Sequence, residues 1–188
     1  LVARIISEVL SPIVVIPLGT LIVSVHAGGW LRGLAYCAVA VFFAAALPYA
    51  ALLSWVRSGK LADRDVRIRQ QRPAILALTL CSVAIGLGIL RLLNAPPDLF
   101  ALMVAMVVGI SATLLISTHW KISMHMACLA GVITSLGLLV SPGFALLAVL
   151  LPPTAWSRML LKHHVFSQVV VGAALGLAIA GSTIAHIR

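Results

Sequence analysis

Acidic side chains are the scarcest functional groups in this chain, with four Asp and Glu among 188 residues against thirteen Lys and Arg. A magnesium–diphosphate centre needs several oxygen ligands, and only Asp63 and Asp65 stand close together, so a magnesium-dependent lipid transferase is poorly served. Charge of either sign is also short. It makes up 9% of residues, where a soluble domain carries about 25%. With 62% hydrophobic residues, the chain is built to dissolve in lipid. The three cysteines, Cys37, Cys81 and Cys128, lie within apolar runs at no metal-ligand spacing and read as small packing residues. No alternating strand pattern and no repeat of fixed period is present. The net charge of +9 sits in short loops between apolar runs, which favours anionic headgroups or an anionic substrate as partners over nucleic acid.

The length fits one domain, 1–188. Apolar runs predict an all-α polytopic membrane bundle of six to seven transmembrane helices. Residues 1–8 read as an interfacial lead-in. Spans follow at 9–26, 33–56, 74–90, 99–118, 123–140, 144–156 and 165–184. The first run is too long for a signal-peptide core and reads as a span. Pro12 and Pro17 start or kink it, and Pro152-Pro153 break the sixth. With seven spans, the loops after the second, fourth and sixth fall on one side of the membrane.

Those three loops hold the polar chemistry. The first, 57–73, carries Lys60, Arg64, Arg67, Arg69 and Arg72, spaced so that two or three share a face on a short helix. Arginine's planar fork suits phosphate, although a basic loop that anchors topology has the same composition. The second loop contains His119, Lys121, Ser123 and His125 at the start of a helix, where free N–H groups favour an anion. An interfacial Trp/Lys belt with an N-capping serine would look alike. The third is Ser157-Arg158, His163-His164 and Gln168. His164 and Gln168 are four apart and share a helical face. Gln168 can accept a hydrogen bond from one ring nitrogen, which frees the other to attack phosphorus, with Arg158 as phosphate ligand. A basic helix end near lipid headgroups is the plainer alternative. Ionisable groups at a membrane boundary are costly enough to mark a functional site.

These residues resemble the type 2 phosphatidic acid phosphatases, a family that shares its core with vanadium haloperoxidases. Its third motif, SRxxxxxHxxxD, reads here as Ser157, Arg158, His164 and Gln168 at the full spacing, with glutamine for the final aspartate. The second, PSGH, reads Ile122-Ser123-Met124-His125. The first, KxxxxxxRP, ends in Arg72-Pro73, but its lysine position holds Asp65, so Arg69 or Arg67, then Arg64 or Lys60, would stand in. The resemblance covers roughly 60–176 and suggests a divergent bacterial branch. It implies a metal- and cofactor-free lipid phosphatase acting on polyprenyl phosphate or diphosphate, phosphatidate or phosphatidylglycerophosphate. In that scheme His164 forms a phosphohistidine and His125 protonates the leaving alkoxide. Arg69, Arg72, Lys121, Ser123, Ser157 and Arg158 would hold the phosphate. A neutral Gln168 orients the imidazole but adds no full charge, so activity is lower or another acid, such as Asp63 or Asp65, substitutes.

Two other readings use the same residues. A haem-binding subunit would draw axial ligands from His26, His119, His125 and His164. A binder or transporter of anionic lipids would use the pocket without turnover. The expected setting is a bacterial inner membrane, and a homo-oligomer is compatible with the sequence. Positive charge places the polar face in the cytoplasm, since the other side holds little beyond Arg32, Arg91 and Arg188.

Overall fold

No water reaches the hydrocarbon to satisfy peptide groups, so an apolar run must bond to itself, and a helix does so completely. The computed structural model describes residues 1–187, so Arg188 lies outside the described residues. The apolar runs are helices, and no strand occurs among the described residues. In order they are α1 (Val2–Val9), α2 (Pro12–Gly28), α3 (Trp30–Val41), α4 (Leu47–Arg57), α5 (Arg72–Leu92), α6 (Pro97–His119), α7 (Met124–Leu139), α8 (Leu151–Leu160) and α9 (Phe166–Ile187). A π-helical turn, Phe42–Ala46, joins α3 to α4, and a 3-10 stretch, Pro142–Leu150, leads into α8.

The protein is an all-α polytopic membrane bundle. Among the described residues, five stretches are long and apolar enough to cross a bilayer: Trp30–Arg57, Arg69–Leu92, Pro97–His119, Pro142–Leu160 and Phe166–Ile187. Helices α1 and α2 make a sixth if taken as one span bent by 41°. The run at 123–140, expected as a seventh, falls short. Helix α7 has 16 residues, about 24 Å at 1.5 Å per residue against a hydrocarbon core of about 30 Å. It forms the centre of the bundle, with Leu129, Ile133, Leu136 and Leu139 buried. Prolines open α2, α5, α6 and α8 in their first turns, where no intrahelical N–H bond is lost.

Two local devices place the site. The π turn frees the Phe43 carbonyl, which accepts from Ser82 Oγ at 2.6 Å. On α9, Gly172 and Gly176 let the backbone close onto α7. A Cβ at Gly172 would stand 2.6 Å from the Ser123 carbonyl oxygen, and one at Gly176 would collide with that of Ala127. The polar segment after α4 departs from expectation. It forms turns, with a single 3-10 turn at Arg69–Gln71, and Gly59 and Val66 take positive φ. A β-branched valine at φ 46 is strained.

Candidate functional site

The loops after α4, α6 and α8 meet at one end of the bundle. Arg69 donates to the Thr118 carbonyl, the Ser123 N–H donates to the Gln168 carbonyl at 3.2 Å, and Asp65 pairs with Arg158. A cavity of about 740 Å³ opens there, within the range of small-molecule sites. Arg72, His125, Arg158 and His164 all line it, joined by Asp65 and His163.

Each side chain has a local reason for its place. Helix α8 ends at Leu160, and Lys162 at φ 56 reverses the chain. The reversal brings the N–H groups of His163 and His164 onto the Arg158 carbonyl, at 3.1 and 3.3 Å, which locks the three residues together. Gln168, in the first turn of α9, reaches back to the ring of His164. Its Oε1 lies 2.9 Å from His164 Nδ1 and 3.4 Å from the Val165 N–H. The amide N–H can only donate, so the shared atom is an acceptor and Nδ1 carries the proton. The lone pair of His164 therefore sits on Nε2.

Arg72 is 3% exposed. It donates from Nε to the Val66 carbonyl at 3.0 Å and from Nη1 to the Ile122 carbonyl at 2.7 Å. Arg158, 2% exposed, donates from Nη1 to Ser7 Oγ at 2.6 Å and sits 3.4 Å from His125 Nε2. Arg158 Nε and His163 Nδ1 are buried without a hydrogen-bond partner.

The field of this cluster shows in its loop groups. Burial lowers the His164 pKa to about 3, assisted by Arg72, Arg158 and Lys121 and opposed by the Gln168 bond. His163 is lowered by burial and Arg158, and Lys121 by burial, Arg72 and Arg158. Burial alone would raise Asp65, but the charges of Arg158, His163 and His125 and the Arg158 hydrogen bond outweigh it and hold the carboxyl low. His164 thus stays neutral among these cationic groups.

Not every expected ligand faces the cavity. Arg69 is turned away to cap α6 at Thr118, while Arg67 and Arg64 reach the rim. Lys121 stands off the wall and acts only through its charge. Ser123 and Ser157 are fully buried off the wall, their hydroxyls without partners. Asp65 faces Arg158 and His163, so it does not take over the part of the missing carboxylate behind His164. The histidines considered for haem separate: His26 is exposed at the far end of α2, and exposed His119 contacts Thr118 Oγ1 at 2.6 Å. Among the described residues no group of three or more His, Cys, Asp or Glu is placed to hold a metal ion.

Sequence reasoning missed α1. Arg4, Ser7, Glu8 and Ser11 all line the cavity. Arg4, Ser7 and Glu8, three and four apart, form a polar face of α1, the signal that would have found them, and Ser11 is the N-cap residue of α2. No family model, curated protein or solved structure matches the chain.

Proposed function

We propose that this membrane protein is a lipid phosphatase that works through a phosphohistidine and needs no metal. The observation that carries the reading is the 2.9 Å contact between Gln168 Oε1 and His164 Nδ1: with Oε1 accepting, Nδ1 holds the proton and Nε2 the lone pair, in a cavity shared with buried Arg72 and Arg158. The Ser157, Arg158, His164 spacing of the type 2 phosphatidic acid phosphatases supports it.

In the first step the Nε2 lone pair attacks phosphorus and the bond to the lipid oxygen breaks. A monoanionic phosphate ester carries one proton, and neutral His125 relays it to the leaving oxygen. In the second step water attacks phosphorus, the P–N bond breaks with its electron pair returning to Nε2, and inorganic phosphate departs as the monoanion carrying both of the water's protons. Arg72 and Arg158 stabilise charge on the non-bridging oxygens throughout. The setting is a bacterial inner membrane with the site facing the cytoplasm, because the cationic loops gather at that end.

The test is phosphate release from a panel of lipid phosphates by purified protein in EDTA. Release that His164→Ala abolishes is expected. Binding without release by the native protein would favour a non-catalytic anionic-lipid carrier, a reading that neutral Gln168 also fits.

A further inference from the structure

The cavity does not stop at its cationic end. Its walls run from His125 to Ser135 on α7, from Arg72 to Val83 on α5 and from Thr113 to Leu102 on α6. At 1.5 Å per residue each wall is about 15–17 Å deep. This is about half of a 30 Å hydrocarbon core, the depth of one leaflet. Beyond it Leu90, Leu99, Leu136 and Leu139 are packed shut. The deep walls are apolar, formed by Ile16, Val83, Leu102, Met106, Ile110 and Ile179. Two hydroxyls on the deep walls are bonded to their own helices: Thr79 to the Ile75 carbonyl at 2.7 Å and Ser135 to that of Gly131 at 2.8 Å. Gly109 lies on this wall, and a Cβ built there meets nothing nearer than Ile179 at 4.0 Å.

We infer that this chamber holds the tail of the lipid phosphate inside the bundle, that its closed floor limits the tail to about one leaflet in length, and that Gly109 sets how much chain is admitted. The inference rests on the phosphatase reading and narrows its substrate to lipids with tails of acyl length. A long polyprenyl tail exceeds the chamber. The tail belongs to the molecule whose phosphate meets Arg158, because one continuous cavity joins the unpartnered Arg158 Nε to the apolar walls. A flexible chain seated there removes apolar surface from contact with headgroup water at the mouth.

The experiment compares butyl, dodecyl, hexadecyl and undecaprenyl phosphate in nanodiscs, for the native protein, Gly109→Ala and Gly109→Leu. Both substitutions raise helix propensity, and Gly109→Ala reports on folding. The native protein is expected to prefer dodecyl and hexadecyl phosphate over butyl by roughly a hundredfold in kcat/KM. Gly109→Leu is expected to lose roughly tenfold on hexadecyl phosphate with butyl phosphate unchanged. Equal effects of Gly109→Leu on all chain lengths, or a native preference for undecaprenyl phosphate, would overturn the inference. If the native protein releases phosphate from none of them, the phosphatase reading fails, and hexadecylphosphonate still tests the chamber. A thermal shift exceeding that from butylphosphonate, and lost in Gly109→Leu, supports the chamber; equal shifts from both overturn it.

Discussion

The carboxylate of Asp65 lies across the guanidinium of Arg158, with Oδ1 3.3 Å from Nη1 and 3.4 Å from Nη2. Its other oxygen faces His163 Nδ1 at 3.8 Å and Arg67 Nη2 at 3.8 Å. An anion entering the cavity has to compete with this internal counter-ion for the same donors. Asp65→Asn leaves a buried guanidinium without its partner, which costs about 3 kcal/mol at most, because the carboxylate is 30% exposed. The variant should therefore melt lower than the native protein. Inorganic phosphate or vanadate should restore its Tm by more than it raises the native one, and should bind it more tightly. The Asp65 pKa is held low, so its contribution is present above the ordinary carboxylate range and is lost as pH falls through the folded value. Thermal melts with and without phosphate check all of this, and an Asp65→Asn variant indifferent to phosphate would count against an anion site at Arg158.

A neutral amide behind His164 makes its own prediction. The His164 pKa is about 3 in the folded protein, below its ordinary 6.5, so the ring is neutral at all ordinary pH. Protonation of His164 should not limit kcat/KM above about pH 4. The folded state resists a proton that the unfolded state accepts, so this group's share of stability is full above pH 6.5 and is lost as pH falls towards 3. Gln168→Asp puts a carboxylate near Nδ1 and raises the His164 pKa. The acid limb of the pH profile should move to higher pH. Maximal kcat should rise by about an order of magnitude, equivalent to about 1.4 kcal/mol of added imidazolium stabilisation. A pH–rate profile for each protein reads both effects.

How much of this was legible depended on whether the relevant contact is local. The run expected at 165–184 is α9, Phe166–Ile187, because uncharged stretches end where Arg, His or Pro begins. The His164–Gln168 contact was expected from a spacing of four on one helix; it appears at 2.9 Å, but His164 lies ahead of α9 and Gln168 reaches back to it from the first turn. Hydropathy could not separate α7 from a membrane span, since a helix buried in protein and one buried in lipid are equally apolar. Arg69 was a candidate because the resemblance wants a basic residue ahead of Arg72-Pro73, and a motif spacing carries no information on its side-chain bond to the Thr118 carbonyl on another element. The face of Arg4, Ser7 and Glu8 could be seen in the sequence, but nothing near it says that α1 packs on α8, the contact that puts Ser7 on Arg158.

The two imidazoles stand on different helices, His125 at the start of α7 and His164 just before α9, so their separation depends on how closely these helices approach. Gly176 sets that approach against the Ala127 carbonyl. Gly176→Ala forces the backbones apart, at a cost of about 1–3 kcal/mol. Its Tm should fall, and phosphate release should fall by more than the loss of folded protein explains, because proton relay needs His125 close to the leaving oxygen. Gly137→Ala on α7, where a Cβ meets nothing within 4 Å, is the control and should leave both unchanged. Circular dichroism melts together with single-turnover assays separate the two effects.

Arg67 and Arg69 differ in a way that kinetics can resolve. Arg67 lies on the cavity rim, 56% exposed, within 3.8 Å of Asp63 and Asp65. Arg69 donates to the Thr118 carbonyl at the C-terminal turn of α6, where a cation is favoured by the helix dipole. Arg67→Ala should raise KM for a lipid phosphate by roughly threefold to tenfold at low salt. That effect should shrink at high ionic strength, because an exposed charge is screened. Arg69→Ala should leave KM unchanged and cost about 0.5–1 kcal/mol of stability. Steady-state kinetics at two salt concentrations, paired with melting curves, distinguish a phosphate-attracting arginine from a helix-capping one. A KM defect in Arg69→Ala that vanishes in salt would exchange the two assignments.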